Sequence, residues 1–221
     1  MTAVDAPRVL GETAHGLLVV HKPAGMRVHP ADDDGVPDLV AWLAAQPGLP
    51  PGVAPAQRLD QGTSGLLLCG ATGAQRALAS DWLAEGLVEK TYLAVVHGRT
   101  REKGTLRRPL QDARRGRPLD AVTRYRTLEW LGGFSLLAVR IETGRKHQIR
   151  RHLHGIGHPV VGDERYRARR RVRVPGWPGR MWLHARVLVL PDGETFEDPL
   201  PPELLRSLDA MRAGADRDTA T

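Results

Sequence analysis

AVTRYRTLEWLGGFSLLAVRIET, residues 121–143, reads as two strands of β-branched, aromatic and apolar residues meeting at Gly132 and Gly133. Two such runs joined by a glycine pair predict an antiparallel hairpin. Upstream, KTYLAVVHG (90–98) alternates, with Tyr92, Ala94 and Val96 on one side and Leu93 and Val95 on the other, which predicts a half-buried strand. Downstream, HQIRRHLHGIG (147–157) carries Ile149, Leu153 and Ile156 at helical spacing before Gly157 and Pro159 stop it. A last strand, WLHARVLVLP (182–191), and a short helix around Glu203 to Met211 follow.

The first ninety residues carry the same mixture. Leu17 to Val20 form a short apolar strand stopped by Pro23 and Gly25. Pro37 suits the first turn of a helix through VPDLVAWLAAQ, with Leu39, Val40 and Leu43 on one face. A proline-rich loop, PGLPPGVAP, leads to a strand at Leu66 to Leu68. Thr72 and Gln75 then make a capping box, opening a helix that buries Leu78, Trp82 and Leu83 and closes at Gly86. Strands and helices mix without βαβ alternation, and no glycine-rich nucleotide fingerprint follows a strand, so a doubly wound sheet is disfavoured. The fold class is α+β: a mixed, largely antiparallel central sheet flanked by helices, in a single catalytic domain over 10–212. Residues 1–9 and 213–221 are expected to be flexible.

Composition narrows the partners. At 221 residues, 41% hydrophobic and 26% charged, the chain suits one large globular domain and not a disordered or fibrous polymer. No apolar run approaches the ~18 residues of a membrane span, and the N-terminus lacks a signal-peptide layout, so no membrane partner and an intracellular, cytoplasmic location are expected. Cys69 is the one cysteine, which excludes an intramolecular disulfide and a zinc ribbon; it reads as a small buried residue. The net charge is +7, with arginine far outnumbering lysine. Planar guanidinium forks suit phosphates, so a nucleic-acid partner is favoured.

Two segments concentrate polar groups. QRLDQGTSGLLLCG (57–70) sets Arg58 and Asp60 in a tight loop with Gly62, Thr63, Ser64 and Gly65, where the carboxylate either caps a turn or is held for chemistry. TGRKHQIRRHLHGIGHPVVGDERY (143–166) packs Arg145, Lys146, His147, Arg150, Arg151 and His152 around a helix start. Cations there oppose the helix dipole and call for an anion, either a phosphate or Asp60. Zinc at His147, His152, His154 and His158 is disfavoured, because the spacings are not those of paired helical ligands and no acidic base lies between them. After them, Arg165, Arg167, Arg169, Arg170, Arg171 and Arg173 form a loop that either tracks phosphates or is merely solvated.

With VVHKPAGMRVHP (19–30), EKTYLAVVHG (89–98) and WLHARVLVLPDGETFEDPLP (182–201), these two segments closely resemble the RluA-type pseudouridine synthase family. The family's ordered signatures are a lysine-proline-alanine-glycine strand end, a histidine-arginine-leucine-aspartate loop (here with Gln57 in the histidine's place) running into threonine-serine-glycine, a lysine-x-tyrosine strand, a threonine-glycine-arginine-x-histidine-glutamine helix start, and glycine-histidine-proline followed by glycine-aspartate. All occur here in order. The resemblance implies the pseudouridine synthase fold, isomerisation of selected RNA uridines by base flipping, and no external cofactor. It implies that Asp60 is the essential aspartate, which either attacks the anomeric carbon or removes the 2′ proton. Arg150 matches the arginine that pairs with it, Tyr92 the aromatic residue that stacks on the uracil, and Arg58 the residue that fills the vacated RNA stack. Arg145, His147 and the loop arginines are the further RNA-binding candidates.

This sequence departs from the family at Gln57, where histidine is usual, and at His21, where asparagine often stands. Lys22, Pro23 and Gly25 read as shaping the strand end. No N-terminal extension offers room for an S4-type RNA-binding domain, so binding is expected from the catalytic domain alone, acting as a monomer. GRKHQIRRH is more similar to the tRNA-modifying pseudouridine synthase C branch than to the rRNA branches, which favours tRNA over rRNA. The alternatives are a non-catalytic RNA-binding protein that keeps the fold and a metal-dependent nuclease; the latter is poorly supported because carboxylates do not cluster around the histidines.

Overall fold

The computed structural model describes residues 5–31, 35–112, 115–168, 170 and 172–219. In chain order its elements are β1 (Arg8–Glu12), β2 (Leu18–Lys22), α1 (Leu39–Ala44), β3 (Ala54–Pro55), β4 (Ser64–Gly70), α2 (Gly73–Ala84), β5 (Glu89–His97) and β6 (Lys103–Leu106). They continue with β7 (Leu110–Asp112), β8 (Arg117–Leu119), β9 (Thr123–Leu131), β10 (Phe134–Ile141), α3 (Gln148–Gly155), β11 (Leu183–Val189), β12 (Thr195–Glu197) and α4 (Pro202–Thr219). This is the α+β class with predominantly antiparallel strands that the sequence predicts. None of its described helices is long and apolar enough to cross a membrane.

The chain divides into two compact units. The first comprises the residues up to Glu89 with Ala185–Pro199, and the second Lys90–His184 with the segment from Leu200 onward. In the first, strands run in the order β1-β2-β4-β11, with β12 on β11 and β3 on β4. Val9 pairs Val20, Val20 pairs Leu67 and Lys22 pairs Gly65, all antiparallel. Successive side chains alternate between two cores, which is why these strands read as unbroken apolar runs. Leu18, Val20, Leu67 and Cys69 pack with Leu39 and Leu43 of α1. Leu17, Val19, Leu66 and Leu68 pack with Ala79 of α2 and with Val88 and Leu188. Burial pushes the Cys69 thiol up to about 12, leaving it inert at neutral pH.

The second unit orders its strands β5-β10-β9-β6, antiparallel throughout, beside a separate β7-β8 pair. The predicted hairpin is β9 and β10: Leu131 faces Phe134 across Gly132 and Gly133, and a register shift falls between Leu136 and Leu137. Val95, Phe134, Leu136, Val161 and Trp182 meet Leu204, Leu208 and Met211 of α4 in its core.

Several local expectations shift. Strand β5 is covered on both faces, since Tyr92, Ala94 and Val96 are buried and so is Val95 behind them, with Leu93 packed on the same core as Val95. Helix α1 is capped by Asp38, whose side chain accepts from the Ala41 N–H, so Pro37 lies outside the first turn. The capping box of α2 forms as expected, but Ala79 is the buried residue, with Trp82 and Leu83 packed beside it. At the termini, β1 begins at Arg8 and α4 runs to Thr219, so regular structure extends past both edges of 10–212.

Candidate active site

In the first unit, Asp60 lies half-buried in the loop between β3 and β4, with Arg58 exposed beside it. The loop is held by its backbone. The Asp60 carbonyl accepts from Thr63 N–H at 3.0 Å, and the next carbonyl, Gln61, accepts from Gly25 N–H at 2.8 Å. Lys22, fully buried at the end of β2, donates its ammonium to the carbonyls of Pro23 (2.7 Å), Met26 (2.9 Å) and Gln61 (3.3 Å). A buried cation needs such acceptors, and here they join the loop after β2 to the residue following Asp60. At the far end of the loop, Gly65 has φ +115°, and a Cβ there would lie 2.2 Å from the Ala185 carbonyl oxygen, so only glycine lets β4 approach that backbone.

His21, adjacent to Lys22, is also fully buried. Its Nδ1 bonds Asp198 and its Nε2 lies 2.9 Å from Asp5 Oδ1, while Arg8 pairs Asp198 at 2.7 Å. Burial alone would lower the His21 pKa, but the two carboxylates outweigh it and raise the value above the ordinary histidine range. The network joins the chain before β1, the end of β2 and the residue after β12.

In the second unit, Tyr92 is buried in β5 opposite Val139 of β10. Lys90, two residues earlier on the same face, is buried too, and desolvation lowers its pKa. Arg150 lies in the first turn of α3 and makes a two-pronged ion pair: Nε donates to Asp163 Oδ2 at 2.7 Å and Nη2 to Oδ1 at 2.9 Å. Asp163 Oδ1 also accepts the backbone N–H groups of Arg165 and Tyr166, each at 2.9 Å. Burial would raise the Asp163 pKa, but Arg150 and these N–H groups more than offset it and hold the carboxyl below the usual range. Asp163 is thus an anion at the helix start, filled by a residue that sequence reasoning passed over although it lies in the glycine-aspartate signature.

Part of the polar helix start is ordered around the ring of Tyr166. His147 caps α3 in the left-handed region at φ 55° and its Nδ1 lies 3.1 Å from the Tyr166 hydroxyl. The guanidinium carbons of Arg150 and Arg165 stand 5.2 and 5.9 Å from the Tyr166 ring centre. Arg145 is anchored by donating Nε–H to the Asp120 carbonyl, and Gln148 bridges Thr143, Arg145, Val122 and Thr123. His152 bonds Thr123 and the Arg108 carbonyl, and His158 the His97 carbonyl, so these histidines are tied to protein groups. Arg165, Arg167, Arg170 and Arg173 are exposed; Arg169 and Arg171 lie outside the described residues.

Residues 16–155 match the sequence profile of the family described as RNA pseudouridylate synthase. The chain is 33% identical over 204 residues to tRNA pseudouridine synthase C of Haemophilus ducreyi (strain 35000HP), covering 82% of this chain and 84% of that protein. It is 36% identical over 232 residues to ribosomal large subunit pseudouridine synthase D of Nitrosomonas europaea, covering 93% of this chain and 65% of that one. Among solved structures, human RNA pseudouridylate synthase domain containing 1 superposes with TM-score 0.70 at 27% identity, over 96% of this chain and 89% of that one. The sheet-based α+β fold and these matches define the class: the chain belongs to the RNA pseudouridylate synthase family. Within that family it is an isomerase, an RNA pseudouridine synthase.

Proposed function

We propose that the protein converts one uridine of a structured RNA, a tRNA in preference to an rRNA, to pseudouridine, with Asp60 as the catalytic carboxylate. The bond from C1′ to uracil N1 breaks, the base turns, and C1′ bonds to C5. The C5 hydrogen leaves as a proton and N1 takes one up, so no oxidant, metal or cofactor enters the balance. Asp60 acts either on C1′ as nucleophile or on the 2′ proton as base. Arg150 holds its charge, Tyr92 stacks on the uracil, and Arg58 enters the RNA stack where the uridine has left, offsetting part of the cost of a few kcal/mol for flipping. Arg145, His147 and the loop arginines contact the RNA backbone. The protein works as a cytoplasmic monomer.

The observation that carries the assignment of Asp60 is its loop, whose backbone is held on both sides by Thr63 and by the Gln61 carbonyl that Gly25 and the buried Lys22 share. Such support suits a carboxylate that must keep one orientation. The preference for tRNA rests on GRKHQIRRH and on the fuller coverage of the Haemophilus ducreyi relative.

The test is release of the C5 hydrogen from labelled uridine in tRNA and rRNA transcripts, without added metal or nucleotide. Release is expected from a tRNA, and Asp60→Ala and Asp60→Asn should abolish it while RNA affinity and the fold persist. Turnover by either variant would remove Asp60 from the mechanism, and release from rRNA alone would reverse the substrate preference.

A further inference from the structure

We infer that Asp163 is a positioning residue for the isomerisation: it fixes the plane of the Arg150 guanidinium that serves the catalytic carboxylate. The inference rests on the proposed role of Arg150 as partner of Asp60.

An arginine side chain has four rotatable bonds and a planar fork of donors, so its usefulness in a site depends on what locks the fork. Here Asp163 takes Nε and Nη2 together, the geometry that defines both the position and the plane of the group. Asp163 is itself fixed. Its side chain is fully buried, its own N–H donates to the Val160 carbonyl, and its Oδ1 receives two backbone N–H groups from the turn after it. Gly162, at φ +79°, lets this turn pass close to the Arg180 carbonyl, which a Cβ would meet at 2.4 Å. Tyr166 closes the arrangement, its ring against Arg150 and its hydroxyl against His147 at the start of α3. The turn over 160–166 and the first turn of α3 are therefore joined through one carboxylate and one ring.

A carboxylate that merely neutralised Arg150 would need one contact and no backbone support. The supported fork instead leaves Arg150 one orientation in which its remaining donors are presented. Loss of that orientation should leave RNA binding intact, because phosphate contacts respond to charge, while slowing a step that depends on alignment.

The measurement is the single-turnover rate of pseudouridine formation together with RNA affinity. Asp163→Asn places an NH2 group against the Arg150 donors and should slow the rate about 100-fold, with affinity within about 3-fold. Asp163→Glu keeps the charge and should recover part of the rate. In an Arg150→Lys background, where no fork exists, Asp163→Asn should cost less than about 3-fold more, because residues acting as a unit are non-additive. A near-native rate for Asp163→Asn, or the same full loss on both backgrounds, would overturn the inference. Should the Asn variant not fold, the unaltered protein still decides: the Arg150 Nε–H resonance should persist under exchange conditions that erase that of exposed Arg173, and its disappearance alongside Arg173 would count against the fork. Activity retained by Asp60→Asn would instead strike the assignment of the carboxylate, and these Arg150 readouts would be unaffected by it.

Discussion

His21 is held between two carboxylates in the interior, so its protonation state is part of the fold. Asp198 and Asp5 face its two ring nitrogens, Arg8 reaches Asp198 from β1, and Arg186 on β11 donates to the Asp198 carbonyl while also pairing with Glu197. The folded-state pKa is raised, so the stabilisation is fully present below the unfolded value of about 6.5 and is lost as pH rises through the folded value. The midpoint of thermal unfolding should therefore fall from pH 6 towards the alkaline side. His21→Ala should cost about 1–3 kcal/mol at pH 6, where it removes the cation between Asp5 and Asp198 and leaves Arg8 as a remaining partner of both, and less at higher pH. A cost independent of pH would mean that His21 is neutral in the folded protein. The sequence showed His21 only as a departure from the family pattern, because Asp5 and Asp198 are 193 positions apart and no local spacing joins them.

Among the elements, β4 depends on a missing side chain. Gly65→Ala brings a Cβ onto the Ala185 carbonyl and imposes φ +115° on an L residue. Strain of that kind costs about 1–3 kcal/mol before the steric clash is relieved by moving backbone. The variant should lower the unfolding midpoint by roughly 5–10 °C for a chain of this size and slow turnover through the adjoining Asp60 loop. Unchanged midpoint and rate would show that the two backbones separate freely. The strands most legible in the sequence were those whose apolar runs are buried on both faces, Leu18–Lys22 and Ser64–Gly70, and the hairpin marked by Gly132 and Gly133. The helix caps at Thr72 and the stop at Gly86 were equally local. Strands of three or four residues, such as β6, β7, β8 and β12, carry too few side chains for a period to show. β5 misled for another reason: its alternation is real, but the second face is covered by residues distant in sequence, including α4. The proposed site residues Asp60, Tyr92 and Arg150 stand in ordered motifs that the sequence displays, whereas Asp163 enters the proposal only through its contact with Arg150.

In the whole chain, the division into two compact units falls within strand sequence at Glu89 and Lys90 in β5 and at His184 and Ala185 in β11, where no linker composition announces it, and once more at Pro199 and Leu200, in the proline-rich stretch before α4. Charge is the property that composition did expose. With RNA as the proposed substrate, a chain at +7 should draw it from a distance, and each phosphate contact should release counterions, so affinity should fall steeply with salt. Arg167, Arg170 and Arg173 are exposed in the loop after Asp163 and are the candidates for such contacts, while neighbouring Arg165 lies by the Tyr166 ring. Replacing those three with alanine should flatten the slope of log affinity against log salt by about two units, at roughly 0.7 per contact on single-stranded RNA. The rate at saturating RNA should hold, because this loop is assigned to binding and the fork at Arg150 to alignment. An unchanged slope would return the loop to an ordinary solvated surface. A collapse of the saturating rate at constant affinity would instead tie the loop to the ordering of Asp163 and Tyr166, the two residues that connect it to α3.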